Sequence, residues 1–365
     1  MQRKQISFEG QRIFIEIDVH KRNWSVAVST ETGCVRTHSQ KASAQTLLDF
    51  LKGNYPGGDY LAVYEAGFTG FSTYYGLTEL GIKCLVIHAA DVPTSQYESV
   101  MKTDKIDAVK LVKALRAGML KGIYVRPKQS LDDIGIVRAR QCILRDQNRY
   151  KVRIKHKLMS NGVEIPERFE GPGGTRWSNV FINWIKHDVA LMSETRASLD
   201  LLTSQLERMR AAQLEATRGL RRLSQTERYR QGHDLLCTIP GIGTVVAMTL
   251  LTEICDIARF GNEKQFASWL GLVPTCRSSG EKVSHGEKTF RGNKQLGPAL
   301  IEASWVAIRK DPGLSAAFGR LCRRMKRQEA IVRIARKLAN IIFRCAEKQN
   351  RICAIRLQRI RQIYY

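Results

Sequence analysis

The chain has 365 residues, 43% of them hydrophobic, with 59 Lys and Arg against 34 Asp and Glu, which gives a net charge of +25. This length predicts two or three folded domains, and the charge favours a polyanionic partner, with nucleic acid ahead of an anionic membrane surface. Because no run reaches about 18 apolar residues, we expect no membrane-spanning helix, and the opening MQRKQISFEGQR lacks the apolar core of a secretory signal. The nine cysteines form no C-x-x-C pair, which predicts reduced thiols in a cytoplasm and disfavours a zinc site.

The first third of the chain alternates short apolar runs with helical patterns. A helix is expected from Thr103, a candidate N-cap, to Gly118, which suits the C′ position. Three strands followed by alternating helices and strands predict a mixed α/β sheet. The other expected elements are a β meander at 13–38, helices at 44–52 and 70–80, and strands at 61–66 and 83–89.

Two long helical patterns occupy the middle of the chain. The first, at 129–160, is dense in Arg and Lys, and the second covers about 188–230 after the break EGPGGT. In the second, apolar residues repeat with three-four-three spacing, which is typical of a short coiled coil. We interpret the region as a helical spacer and dimerisation arm, with a helical hairpin packed on itself as the alternative. The repeating residues are Leu199, Leu202, Leu206 and Met209.

The C-terminal third contains two glycine-rich features. LLCTIPGIGTVVAMTLLTEI predicts helix, tight turn and helix, in which Gly241 and Gly243 would let the backbone approach a DNA phosphate. The alternative is a plain turn between packed helices. RSSGEKVSHGEKTFRGNKQL, at 277–296, predicts a basic loop between two helices that presents Ser278 and Ser279, with a mobile surface loop as the alternative. Beyond it, the chain is expected to end in a basic amphipathic helical segment.

Four acidic residues stand at positions suited to a metal site. Two of them close β-like runs, and the other two lie three residues apart, so that one helix face can hold both. Carboxylates gathered in this way bind Mg²⁺, and a pair of such ions can assist phosphodiester cleavage, as in nucleases of the ribonuclease-H type. Glu16 and His20 would share the face of the first acid. The alternative is four ordinary solvated carboxylates. The four are Asp18, Glu65, Asp104 and Asp107.

The motifs together resemble a known family. They are IDVHK, YEAG and TDKIDA towards the N-terminus, and IPGIG, FASWLGLVP, RSSGEK and RGNKQL towards the C-terminus. In this order they resemble the DEDD-type transposases of the insertion-sequence-110 family, which includes a pilin-gene invertase. The resemblance implies an α/β N-terminal domain that is RuvC-like with a ribonuclease-H fold, a helical coiled-coil middle, and a mainly α-helical C-terminal transposase domain.

The same resemblance implies chemistry and partners. The four acids would bind Mg²⁺ or Mn²⁺, and a C-terminal serine would attack DNA and become linked to it. By its position before glycine that serine is Ser279, and Ser278 is the competing assignment. The partners would be donor and target DNA, a structured bridge RNA, and further copies of the chain in a homodimer that assembles to a tetramer. The candidate nucleic-acid-binding residues are Arg138, Arg145, Arg149, Arg153, Gly241, Gly243, Arg277, Lys282, Arg291 and Lys294.

We therefore expect a DNA recombinase of the bacterial cytoplasm, associated with the nucleoid. Two alternatives remain: a Holliday-junction-type endonuclease that uses metal and water, and a non-catalytic nucleic-acid-binding protein. The serine could meet the acids of its own chain or those of a partner chain. The expected domains are the RuvC-like domain at 1–125, the helical spacer at 126–232, the transposase domain at 233–345 and a basic tail at 346–365.

Overall fold

The described part of the chain falls into two compact units, divided between Arg126 and Pro127, and each has its own core. The further divisions expected at 232 and 345 stay predictions. Among the described helices, none is long and apolar enough to cross a membrane. A computed structural model describes residues 7–92, 104–170, 176–279, 282–288 and 292–348.

The first unit contains the expected mixed sheet. Its strand order is β3-β2-β1-β4-β5; β1 pairs antiparallel with β2 and parallel with β4, β2 pairs antiparallel with β3, and β4 pairs parallel with β5. The predicted N-cap Thr103 lies outside the described residues, whereas Gly118 has the positive φ of 67° expected after a helix. The elements are β1 (Arg12–Val19), β2 (Asn23–Ser29), β3 (Val35–Lys41), α1 (Ala44–Asn54), β4 (Asp59–Glu65), α2 (Ser72–Glu79), β5 (Lys83–Ile87), a 3-10 turn (Ala89–Asp91) and α3 (Asp104–Arg116).

Helices cover both faces of this sheet, because its central strands are apolar on both sides. On β1, Ile13 and Ile15 pack with α1 and α2, whereas Phe14 packs with Leu111 of α3. On β4, Val63 belongs to the same cluster as Phe14. Since side chains alternate along a strand, even positions of β1 and odd positions of β4 face α3.

The second unit is mostly helical, as expected, but it also contains a β-hairpin. Its elements are α4 (Lys128–Ser160), a 3-10 turn (Glu167–Phe169), α5 (Asn179–His187), α6 (Ser193–Ser224), α7 (Glu227–Cys237), α8 (Thr244–Ile254), a 3-10 turn (Ile257–Arg259), α9 (Glu263–Trp269), β6 (Pro274–Ser279), β7 (Lys282–Lys288), α10 (Leu296–Lys310), α11 (Pro312–Cys322) and α12 (Arg327–Lys348).

The long helices α4 and α6 form a hairpin of helices. Gln147 donates to Gln213 at 2.9 Å and Lys157 donates to Ser198 at 2.6 Å. Residues later in α4 therefore contact residues earlier in α6, so the two helices run antiparallel. Leu199 and Leu206 of the proposed coiled-coil seam are buried in a cluster of this same chain. The packing favours the self-packed helical hairpin, which the sequence left open. The long helix expected over about 188–230 is present as α6, but its bounds were wrong, because α6 covers Ser193–Ser224 and a separate helix, α7, begins at Glu227.

The remainder of the second unit packs α8, α9, α10 and α12 around an apolar core. Leu250, Leu300 and Leu338 lie in it, fully buried. The loop expected at 277–296 was wrong in part, since its first half is the β6–β7 hairpin. Ser279 pairs with Lys282 at the end of the hairpin, and the two residues between them lie outside the described residues. Of the predicted basic tail, residues 349–365 lie outside the described residues.

Candidate active site and nucleic-acid-binding surfaces

Two of the four predicted acids meet at the carboxyl ends of neighbouring strands. The parallel register of β1 and β4 pairs Ile17 with Tyr64, so the next residues, Asp18 and Glu65, stand side by side. Both occupy positions on the face covered by α3. In open α/β sheets the carboxyl edge of parallel strands is the usual place for a ligand.

Asp18 and Glu65 line a cavity of about 290 Å³. Helix α3 contributes Ala108 and Leu111 to its wall. Asp104 and Asp107 belong to the start of α3, but their side chains lie outside the description. The helical repeat nevertheless puts positions 104, 107, 108 and 111 on one helix face. We call this cavity the acidic cleft.

Two polar neighbours accompany Asp18. The His20 Nε2 atom lies 3.0 Å from an Asp18 oxygen, a contact that can orient the carboxylate. Glu16 lies two residues before Asp18 on the same strand face, is 3% exposed, and also lines the acidic cleft. The sequence had placed both residues on the face of Asp18.

The tyrosine before Glu65 makes hydrogen bonds to the segment that follows β4 and borders the acidic cleft. The Tyr64 hydroxyl donates to the carbonyl of Gly70 at 3.1 Å and accepts from the N–H of Tyr74 at 3.3 Å. Burial raises the pKa of Tyr64 well above its usual value, so the hydroxyl keeps its proton and can make both bonds. The turn that Tyr64 secures carries Phe68, whose side chain is 70% exposed at the cleft. Phe68 was not among the residues predicted from the sequence, although it is an aromatic residue only three positions after Glu65.

The donor set of the cleft suits a hard divalent cation. Asp18, Glu65 and Glu16 offer carboxylate oxygens, the ligands that Mg²⁺ prefers. Within the described side chains, no three His, Cys, Asp or Glu residues come close enough together to hold a metal. Asp104 and Asp107, half of the predicted set, lie outside that comparison, so the four-carboxylate metal site stays a prediction.

The predicted nucleophile lies in the second unit. Ser278 and Ser279 are the last two residues of β6, paired with Val283 and Lys282 of β7. Ser279 therefore stands at the end of β6. Arg277 and Lys282 belong to the same two strands, and their side chains, like those of the serines, lie outside the description.

The predicted arginines of α4 share one helix face. Arg138, Arg145, Arg149 and Arg153 are spaced by seven, four and four residues, which repeats the helical period. Arg149 lies 2.8 Å from Asp146, and the guanidinium of Arg153 lies over the ring of Tyr150. The opposite face buries Gln147, Ile154 and Leu158. This basic face is open to a polyanion. Of the other predicted contacts, Lys294 is exposed and Arg291 lies outside the described residues.

The two predicted glycines of the α7–α8 turn differ. Gly241 has a φ of 87°, and a Cβ there would fall on the carbonyl of Ala303 in α10, so close packing alone requires this glycine. Gly243 is the N-cap of α8, and a Cβ there would meet no atom within 4 Å. Open space beside the free N–H groups of a helix start is what a phosphate needs, which leaves Gly243 as the stronger candidate contact.

An α/β unit with an acidic cleft and a second, basic helical unit are typical of proteins that act on nucleic acids. Two family models match the chain. One, described as a transposase and named for the DEDD transposases of IS110, matches residues 15–161; the other, described as the transposase IS116/IS110/IS902 family, matches residues 233–319. The first range holds the acidic cleft and the second holds the hairpin. The chain belongs to the IS110 family of transposases.

Individual relatives agree with this assignment. The chain is 28% identical over 359 residues to y4rJ of Sinorhizobium fredii, a candidate transposase by name, and the match covers 89% of each chain. It is 26% identical over 251 residues to y4qE of the same organism, named in the same way, covering 67% of this chain and 57% of y4qE. The pilin gene-inverting protein of Moraxella bovis is 35% identical over 125 residues, which cover 32% of this chain and 37% of that protein. The chain thus spans little more than half of y4qE but most of y4rJ.

Proposed function

We propose that this protein is the transposase of an insertion sequence, which cuts and rejoins donor and target DNA through a serine nucleophile and a tetrad of metal-binding acids. The observation that carries the proposal is the meeting of Asp18 and Glu65 at one cleft, against a helix that begins with Asp104 and Asp107. Family membership supports it, and so does the mixed sheet, which fits a RuvC-like domain of ribonuclease-H fold.

Strand cleavage would proceed by transfer of a DNA phosphate to Ser279. The serine oxygen attacks the phosphorus and one phosphorus–oxygen ester bond to the sugar breaks. The proton lost by the serine is balanced by the proton that the departing sugar hydroxyl gains. Attack by that hydroxyl or another one on the serine ester reverses the step and rejoins DNA, with the energy of the phosphodiester conserved.

The chain's own residues divide this work. Asp18, Glu65, Asp104 and Asp107 would hold Mg²⁺ or Mn²⁺, which when bound supplies a positive charge that stabilises the phosphate as negative charge builds up. His20 orients Asp18 through its ring nitrogen. Tyr64 fixes the turn after Glu65, and the cleft admits the scissile phosphate while the serine arrives from the second unit of the same or another protomer.

The basic surfaces would hold nucleic acid by its backbone. The arginine face of α4, Gly243 at the start of α8 and the exposed Lys294 can bind phosphates without reading bases. Base recognition then belongs to a bridge RNA that pairs with both DNA partners, as in other RNA-guided systems. We propose a homodimer that assembles to a tetramer around these nucleic acids in the bacterial cytoplasm.

The nucleophile is tested by removing it. Ser279→Ala should abolish recombination between donor and target plasmids, because alanine has no hydroxyl to form the phosphate ester. Ser278→Ala is the matched control, one residue away on the same strand, and should recombine normally. Undiminished recombination by Ser279→Ala would refute the assignment, and loss in Ser278→Ala alone would transfer it to Ser278.

A water-using junction nuclease is the second candidate, because the acidic cleft lies entirely within the first unit. The two functions separate on a nicked DNA substrate. The transposase leaves protein covalently joined to DNA, whereas the nuclease releases two free ends. A third candidate, a non-catalytic binding protein, would produce neither result and would not need Mg²⁺.

A further inference from the structure

Backbone contacts close the base of the β6–β7 hairpin. Gly271 precedes the hairpin and Gly292 follows it, and a Cβ on Gly292 would fall on backbone atoms of Gly271. One residue later, the N–H of Asn293 donates to the carbonyl of Trp269 at 2.7 Å. The two chain ends that carry the hairpin are therefore joined below it, independently of the strand pairing.

The side chain of Asn293 extends this junction to two helices. Its Oδ1 atom accepts the N–H groups of Gln295 and Leu296, each at 2.9 Å, and so caps the start of α10. Its Nδ2 group donates to Oε2 of Glu253 at 3.2 Å. One amide thus links the hairpin base, α10 and α8.

Glu253, which accepts the hydrogen bond of that amide, is itself buried and held by a second residue. Its side chain is 2% exposed in the last turn of α8, and its Oε1 atom lies 3.4 Å from two guanidinium nitrogens of Arg138. A buried carboxylate is costly unless its oxygens are hydrogen-bonded, which makes this group resist displacement. Arg138 lies on the arginine face of α4 and remains 54% exposed, so the contacts run from the hairpin base to the basic surface.

We infer that Asn293 is a positioning residue for Ser279, acting through its bond to Glu253. The inference rests on the proposed function, since it takes Ser279 as the nucleophile. Ser279 stands at the far end of a six-residue strand, about 20 Å long. A tilt of about 5° at the base therefore moves the tip by about 2 Å, and a displacement of about 1 Å can slow a reaction about a hundredfold.

The test exchanges the donor and acceptor of one bond. Asn293→Asp keeps the cap on α10, because an Asp oxygen accepts the same N–H groups, but it sets a carboxylate against Glu253 and removes their bond. Adding Glu253→Gln restores a bond in the opposite direction. The new amide nitrogen at 253 donates to the new carboxylate at 293, while the amide oxygen at 253 still accepts from Arg138.

Two measurements follow each variant, with its affinity for the same DNA as a check. The first is the rate of covalent adduct formation on a nicked duplex taken from the DNA flanking the gene, in the presence of the RNA that copurifies with the protein. The second is hydrogen exchange of the backbone amides in 274–288. Asn293→Asp should slow adduct formation about tenfold or more and speed exchange in the hairpin, with DNA affinity changed by less than about twofold. The double variant should return both readouts close to those of the unaltered protein.

Asn262→Asp is the matched control, since Asn262 caps α9 through Gln265 at 3.0 Å on an exposed surface. It should alter neither readout. Adduct formation by Asn293→Asp at the unaltered rate, or a double variant as slow as the single one, would overturn the inference. If the unaltered protein itself forms no adduct, the serine mechanism fails, and hydrogen exchange still decides whether Asn293 fixes the hairpin.

Discussion

The acidic cleft and the serine hairpin are positioned in different ways. Asp18 and Glu65 are brought together by the register of two central, buried strands, so neighbouring backbone bonds define their separation. The β6–β7 hairpin forms a two-stranded sheet of its own, and such hairpins have little independent stability. Its orientation depends on contacts at its base that involve Gly271, Gly292 and Asn293. The cleft is therefore part of a core, whereas the hairpin depends on a few specific contacts.

A substitution in the acidic cleft should reduce DNA cleavage without destabilising the fold. Asp18→Asn should reduce DNA cleavage about a thousandfold, because an amide binds a divalent cation far less well than a carboxylate. The unfolding temperature should hardly change, since the strand and its register are kept. Cleavage of a labelled duplex in Mg²⁺ and a thermal melt measure the two quantities.

Asp59→Asn provides the control for that prediction. Asp59 lies at the opposite end of β4, where it pairs with Lys83 at 2.9 Å on an exposed surface. Loss of such a pair costs less than about 1 kcal/mol, and cleavage should be unaffected. Equal losses in Asp18→Asn and Asp59→Asn would show that the cleft is not the catalytic centre.

A substitution at the base of the β6–β7 hairpin should, in contrast, reduce the stability of the second unit. In Gly292→Ala the new methyl group falls on the backbone of Gly271, which cannot move as a side chain can. We expect a loss of about 3 kcal/mol in the free energy of unfolding of the second unit, together with loss of adduct formation. Urea unfolding followed by adduct trapping measures both.

A second glycine shows whether the effect is specific. Gly319 lies within α11, and a Cβ there meets no atom within 4 Å. Gly319→Ala should stabilise the protein by about 0.5–1 kcal/mol through helix propensity and leave adduct formation unchanged. If Gly292→Ala is as well tolerated as Gly319→Ala, the hairpin base is not closely packed.

The same contrast explains what could be read from the sequence. Asp18 and Glu65 followed directly from apolar strands whose ends meet, and period-two alternation is a local pattern. The hairpin was taken for a loop because its glycines and charges hide the alternation, and its anchors, Glu253 and Asn293, are 40 residues apart. The apolar repeat of α6 fitted either a second copy of the chain or another helix of the same chain. Only the tertiary packing of Leu199 and Leu206 with Ile154 and Leu158 favours the second partner. Local periodicity is therefore predictable where long-range side-chain contacts are not.

The smallest expected effect concerns the rim of the cleft. Tyr64→Phe removes the hydroxyl that bonds Gly70 and Tyr74, which should cost about 1 kcal/mol of unfolding free energy. The turn that carries Phe68 then loses its tie to the sheet, and cleavage should fall about threefold to tenfold. Tyr60→Phe is matched to it, because Tyr60 lies at the other end of β4 and donates one bond to Tyr55 at 2.8 Å. Tyr60→Phe should lower the free energy of unfolding by a similar amount and leave the rate of DNA cleavage unchanged. A parallel loss of cleavage in both variants would mean that the turn after Glu65 contributes only stability, and the catalytic part of the cleft would then be limited to its acids.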